Sequence, residues 1–280
     1  MTEKKGRLTL VGTPIGNLGD VSERQREVLE AAALVAAEDT RHSGLLLQHL
    51  GIKKPMLSYF QHNEESREER LLSELAAGRD VALISDAGMP GICDPGEAIL
   101  RAAVAAGYPV DAVPGPCALI LALILSGLST ERFAFEGFLP RGQGLRPYLE
   151  QLAAEERTLI FYEAPHRLQG SLKVMLEVFG QGRRIAVCRE LTKKFQEIDR
   201  GSLGEVCERW QEREPKGEFV LVLEGVQEEE AATPDMEEVR RHLNRLMSGG
   251  MKHKAAAREI AQIYNIPVSQ AYQLGLEIKA

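Results

Sequence analysis

The amino-acid sequence predicts an α/β protein: two successive α/β domains, 1–127 and 128–226, followed by a small helical domain, 235–280. Three observations predict it. Short apolar runs alternate with amphipathic helical stretches from Arg7 to Glu224. Loops rich in Gly and Pro follow several of those runs, as at Gly12–Gly19 and Ser85–Gly96. Beyond an acidic, alanine-rich stretch, Gln227–Pro234, the periodicity is helical only. A chain of 280 residues exceeds what one small core needs, and 44% hydrophobic content excludes a wholly disordered polymer.

The elements follow in order. Arg7–Gly12 alternates little and is bounded by Gly and Pro, so it reads as a buried strand. A helix starts at Ser22, an N-cap residue with Glu23 in the first turn. Next come a strand at Leu34–Ala37, a helix from about Ser43, a strand at Met56–Ser58 and a charged helix at Asn63–Ala77. Strand Val81–Ile84, the loop Ser85–Gly96, a helix to Ala106, strand Val110–Val113 and a helix after Pro116 complete the first domain. Strands interleaved with helices imply right-handed crossovers and a mostly parallel sheet covered on both faces.

The pattern restarts with strand Phe133–Gly137, helix Leu145–Ala154, strand Thr158–Tyr162, helix Pro165–Phe179 and strand Arg184–Cys188. An extended run at Phe195–Arg200, a helix from Ser202 to Trp210 and strand Glu218–Glu224 follow. Two strands without an intervening helix predict a mixed sheet. Helices at Asp235–Met247, Lys252–Tyr264 and Val268–Ile278 end the chain. The turn between the last two, Asn265 to Pro267, is of the helix-turn-helix kind, which fits either an RNA-binding module or a helical cap.

Composition excludes several classes. No apolar segment precedes Arg7, and the apolar run Ala118–Leu125 is too short to span a bilayer, so neither a secretion signal nor a membrane segment is expected. Cys93, Cys117, Cys188 and Cys207 form no CxxC pair and no histidine stands at metal-ligand spacing, so disulfides and structural zinc are not expected and the reducing cytoplasm is. A net charge of −7 disfavours an unspecialised binder of phosphate backbones. Nucleic-acid contact would need local patches, and Arg183, Arg184, Arg189, Lys193, Lys194 and Arg200 offer one, Arg240 to Lys254 another. Both also read as ordinary solvated faces.

Several loops carry candidate chemistry, since ligands of open parallel sheets bind beyond the carboxyl ends of strands. Gly12–Gly19 does not match the dinucleotide pattern, and Pro14 removes an amide donor. Glu38, Asp39, Thr40, Arg41 and His42 are five polar residues in a row, read equally as cleft lining or as helix capping. In Ser85–Gly96 the glycines allow close backbone approach and Asp86 offers an acceptor. Pro114–Ala118, Tyr162–Arg167 and the mixed-charge Arg189–Lys194 complete the set.

Taken in order, LVGTPIGNL at Leu10–Leu18, AEDTRH at Ala37–His42, SDAGMPGICDPG at Ser85–Gly96, VPGPCA at Val113–Ala118, FEGFLP at Phe135–Pro140, FYEAPHR at Phe161–Arg167 and RELTKK at Arg189–Lys194 closely resemble the ribosomal-RNA 2′-O-methyltransferases of the tetrapyrrole methylase superfamily. The resemblance covers nearly the whole chain. It implies the two-domain fold of class III methyltransferases, S-adenosyl-L-methionine in the cleft between domains, a homodimer, and as substrate the 2′-hydroxyl of a cytidine in the decoding region of small-subunit ribosomal RNA, free or in the assembled subunit. It also implies RNA contact by the terminal helices. Pro14, Asp86, Ala87, Gly88, Cys117 and Ala118 match the cofactor loops of the first domain; Tyr162, Glu163 and Ala164, with Glu218, Phe219 and Val220, match those of the second. Met89 and Cys93 stand where Thr and Ser are more usual.

Methyl transfer to a hydroxyl needs alignment and a proton acceptor, and no metal in principle. Glu38, Asp39 and His42 are assigned that role, with Glu163 as a second candidate base. Arg41 and Arg189 are expected to hold phosphates, with Arg167, Lys193, Lys252 and Lys254 as further RNA contacts. Two other readings stand beside this one: methylation of a tetrapyrrole ring carbon, and a ribosome-assembly factor that binds RNA without catalysis.

Overall fold

The computed structural model describes residues 5–60, 63–226, 236–264, 266 and 268–279. Its first sheet joins β1 (Leu8–Val11), β2 (Leu34–Ala37), β3 (Met56–Ser58), β4 (Val81–Ile84) and β5 (Val110–Val113), in the order β3-β2-β4-β1-β5 and parallel throughout. β1, β2 and β4 are buried at every residue, which is why they read as continuous apolar runs rather than alternating ones. One face carries Leu8, Leu10, Leu34, Ala36 and Leu83 under α3 (Glu64–Ala76) and α4 (Glu97–Ala105). The other carries Val11, Val35, Ala37 and Ile84 under α1 (Glu23–Ala31) and α2 (Thr40–His49).

From β1 the chain crosses toward β2, and from β4 it crosses the other way toward β5. The loops leaving β1 and β4, which are adjacent strands, therefore diverge and leave a crevice at their carboxyl ends.

The second sheet is mixed, as its sequence implies. β6 (Phe133–Phe138), β7 (Thr158–Glu163), β8 (Arg184–Arg189), β9 (Glu197–Ser202) and β10 (Phe219–Leu223) take the order β6-β7-β10-β8-β9, parallel only between β6 and β7. α6 (Leu145–Gln151), α7 (Leu168–Phe179) and α8 (Leu203–Gln211) cover one face around Phe161, Leu172 and Trp210. Ser202 caps α8 with a full capping box to Glu205. The opposite face is covered by α5 (Ala118–Ser126), which follows β5 in sequence yet buries Leu119, Ala122 and Leu123 against Ile160, Ala186 and Val220. That packing ties the two sheets into one compact unit, Met1–Gly225.

Several boundaries differ from the sequence reading by one to three residues, and three of the differences bear on the site. α2 starts at Thr40, not Ser43, because the Asp39 carboxylate accepts the Arg41 amide and caps the helix there. A 3₁₀ turn at Pro165–Arg167 precedes α7. The extended run after β8 starts at Glu197 rather than Phe195, because residues 190–196 turn back, with Glu190 and Thr192 at positive φ.

A separate unit, Val226–Ala280, contains α9 (Met236–Ser248), α10 (His253–Ile263) and α11 (Val268–Lys279) around Val239, Leu243, Ala257, Ile260 and Leu274. The expected linker Gln227–Pro234, and Asn265 and Pro267 of the expected turn, lie outside the described residues. Among the described residues no helix is long and apolar enough to cross a membrane.

Candidate functional site

Three loops meet where β1, β4 and β5 end. Thr13 and Gly88 pair through both backbone groups, at 2.8 and 3.1 Å, and the Thr13 hydroxyl donates to Ser85 O at 3.2 Å. A Cβ added to Gly12 would lie 2.7 Å from Gly115 Cα, so that crossing is open to glycine alone. Gly88 holds φ +85°, a left-handed conformation that turns the chain back toward Thr13.

Between these loops and the second sheet lies a cavity of about 310 Å³, within the size range of small-molecule sites. Ile15, Ala87, Gly88, Asp94, Cys117 and Ala118 line it from the first sheet's side, and Phe138, Tyr162, Ala164, Glu218, Phe219 and Val220 from the second's. Phe135 and Phe138 meet the Tyr162 ring edge-on at 4.9 and 5.4 Å. Ten of the residues matched to the cofactor thus come together here. Pro14 and Asp86 do not: they line a neighbouring pocket of 200 Å³ with Thr13, His42, Ser43, Ser85 and Leu46. The sequence reading missed Ile15, Met89, Ile92, Cys93, Asp94, Phe138 and Pro165 as lining residues. Asp94 carried a signal, as the second carboxylate of the glycine-rich loop; the apolar ones look like any core residue.

Asp94 lines the main cavity and Asp86 the neighbouring pocket, while Glu38 lines neither and reaches them through the Asp86 amide. Glu38 Oε2 accepts the Asp86 amide at 3.4 Å, and Asp86 Oδ1 accepts the Asp39 amide at 3.1 Å, which braces the ends of β2 and β4. Burial, then the charges of Glu38 and Asp86, pushes the Asp94 carboxyl up to about 6, against the Ser85 hydroxyl. Burial also raises Glu38, with the Asp86 and Asp39 charges adding to it and the Asp86 amide opposing.

Asp39 has other work. The Arg41 guanidinium grips both its oxygens, at 2.8 and 3.1 Å, and holds its carboxyl down at about 2, which makes it a poor proton acceptor. Arg41 in turn is bound to Asp39 rather than free for phosphate, although its side chain is exposed. Glu163 is likewise occupied: its side chain is wholly buried, takes the Ser171 hydroxyl and the Ala164 amide, and pairs with Arg167 at 3.4 Å. Its backbone lines the cavity while its carboxylate faces the core, so it is not placed to take a proton from a ligand.

Most of the expected RNA-contacting cations are also engaged. Arg167 donates to Leu139 O and Pro140 O at 2.8 and 2.6 Å. Arg189 donates to Lys216 O at 2.7 Å and pairs with Glu197. Lys193 bridges Glu190 and Glu218, at 2.9 Å each. Arg183 and Arg200 bind main-chain carbonyls of Glu224 and Leu125. By contrast Lys252 and Lys254, at the start of α10, are exposed and form no ion pair with described residues.

A parallel sheet and a mixed sheet within one compact unit share one cleft, with loops from both at its mouth, which defines a class of two-sheet α/β proteins with a cavity of small-molecule size between the sheets. Residues 7–207 match the family model described as Tetrapyrrole (Corrin/Porphyrin) Methylases, and the chain belongs to that family. It is 47% identical to the "Ribosomal RNA small subunit methyltransferase I" of Synechocystis sp., over 98% of this chain and 99% of that one. It is 46% identical to the protein of the same name from Pseudomonas aeruginosa, over 97% of each. Among solved structures, diphthine synthase shares the fold with a TM-score of 0.63 at 16% identity, covering 79% of this chain and 90% of that one.

Proposed function

We propose that this chain transfers a methyl group from S-adenosyl-L-methionine to the ribose 2′-hydroxyl of a cytidine in small-subunit (16S) ribosomal RNA. The observation that carries the reading is the two-sided cleft, in a chain similar along nearly its whole length to proteins named for small-subunit ribosomal RNA methylation. The cleft suits the cofactor. Small residues expose backbone at Ala87–Gly88, Cys117–Ala118 and Ala164, Ile15 and Val220 offer apolar walls to a flat base, and Asp94 supplies a negative charge for a cation. Bound there, S-adenosylmethionine supplies an electrophilic methyl carbon on a cationic sulfur.

This chain's residues then position the acceptor and take its proton. A ribose hydroxyl is a weak nucleophile while protonated, and a carboxylate with a pKa moved toward neutrality is the better base. Glu38 and Asp94 meet that condition, and His42 stands at the adjoining pocket. We assign the base to Glu38 with His42 beside it, without Asp39 and Glu163, and the electrostatic complement of the cofactor to Asp94. The two sheets form opposite walls of the cleft, with α5 seated on the second sheet, and the terminal helices present Lys252 and Lys254 to RNA. The working form is a cytoplasmic homodimer.

Incubation with labelled S-adenosylmethionine and either small ribosomal subunits or a porphyrinoid precursor tests the reading. Label is expected in the RNA. Label in the macrocycle would move the activity to ring-carbon methylation, and S-adenosylmethionine binding too weak for calorimetry would favour an RNA-binding assembly factor instead.

A further inference from the structure

Ser43 lies in α2, 2% exposed, and its hydroxyl has no hydrogen-bond partner among the described residues. A helical serine commonly returns its hydroxyl to the carbonyl four residues back. Here the Asp39 carbonyl takes the Ser43 amide, at 2.9 Å, and no hydroxyl bond accompanies it. A buried hydroxyl left unpaired carries a desolvation penalty that a ligand would relieve.

Ser43 forms part of the wall of the 200 Å³ pocket beside the main cleft. Pro14, Leu45 and Leu46 give that pocket apolar sides, while His42 and Asp86 give it polar ones. Apolar sides fit the faces of one heteroaromatic ring, and a turn of the Ser43 side chain about χ1 brings its unpaired hydroxyl to the hydrogen-bonding edge of that ring. A space this small admits one nucleoside and excludes a duplex, so an RNA strand would have to turn a single nucleotide outward to enter. Asp86 joins this pocket to Glu38 and Asp94, so a nucleoside held here would carry its ribose toward them.

We propose that this second pocket receives the acceptor nucleoside of the RNA, turned out of its strand, and that the Ser43 hydroxyl hydrogen-bonds the base. The inference rests on the methyl-transfer reading above and adds to it a separate base-binding site.

The test uses the full chain, small ribosomal subunits and labelled S-adenosylmethionine, with Ser43→Ala and Leu45→Trp. Leu45 is 65% exposed, so the larger ring blocks the pocket without entering the core. Ser43→Ala is expected to lower kcat/KM for subunits by roughly fivefold to tenfold, the worth of one hydrogen bond, while melting at or above the wild-type temperature because an unpaired hydroxyl has gone. Leu45→Trp is expected to lower it by more than about tenfold. In both, the S-adenosylmethionine Kd measured by calorimetry stays at the wild-type value. Wild-type kcat/KM in both variants would overturn the proposal, and so would a matching loss of S-adenosylmethionine affinity, which would give the pocket to the donor. A wild-type protein that binds S-adenosylmethionine but leaves subunits unlabelled would overturn the methyl-transfer reading itself, an outcome separable because it appears before any variant is made.

Discussion

Glu38 and Asp39 are neighbours in sequence, yet their surroundings give the two carboxylates opposite properties. Asp39 is fixed by Arg41 and caps α2, whereas Glu38 is desolvated beside Asp86. Asp39→Ala should therefore lower the melting temperature through loss of the α2 cap, and Asp39→Asn, another good cap, should restore it in thermal melts. Single-turnover methylation should change little in either. Glu38→Gln should instead slow single turnover by roughly 10²- to 10⁴-fold with cofactor affinity intact. Asp94 gives a pH signature. As cofactor partner it must be ionised, so the rate should fall as pH drops through about 6. Its stability effect has the opposite sense. With a folded pKa above the ordinary 3.8, the folded state binds the proton more tightly, a contribution complete below that value and lost as pH rises through about 6. Asp94→Asn should thus raise the melting temperature at pH 8 by roughly 2–4 °C, a gain of about 1 kcal/mol after allowance for solvent screening, and the gain should vanish near pH 4.

At the scale of elements, the strands were the most legible part of the sequence, because a parallel sheet buried on both faces requires unbroken apolar runs such as LVAA in β2 and VALI in β4. The start of α2 was not, since Thr40, Arg41 and His42 are as polar as a loop and only the Asp39 cap reveals the helix. Nor was the seat of α5 legible: a helix apolar on nearly every side carries no periodicity to say which sheet it covers. The cofactor loops stood out through glycine and proline at fixed spacing. The occupation of Arg167 and Lys193 was only half legible: Glu163 and Glu190 stand four and three residues back, whereas Leu139 and Glu218 lie 28 and 25 residues away. The crossing of the β1 and β5 loops gives a test at this scale. Gly12→Val would drive a side chain into Gly115, and should cost about 2–3 kcal/mol or abolish S-adenosylmethionine binding in calorimetry.

For the molecule as a whole, a chain of net charge −7 must meet a polyanion through a small set of free cations. With Arg167, Arg189 and Lys193 committed to internal partners, the terminal helical unit supplies exposed candidates in Lys252 and Lys254. Replacing both by Ala should raise KM for subunits and flatten the dependence of log affinity on log salt by about 0.7–0.9 per lost phosphate contact, with S-adenosylmethionine affinity unchanged. The cleft between the two sheets is proposed to deliver a methyl group to a ribose oxygen. Alkaline hydrolysis of subunit RNA after reaction with labelled S-adenosylmethionine tests it most directly, because a methylated 2′-oxygen cannot attack the adjoining phosphate. Label in a single alkali-resistant dinucleotide that begins with cytidine is the expected result; label released in mononucleotides would place the methyl on a base and contradict the account.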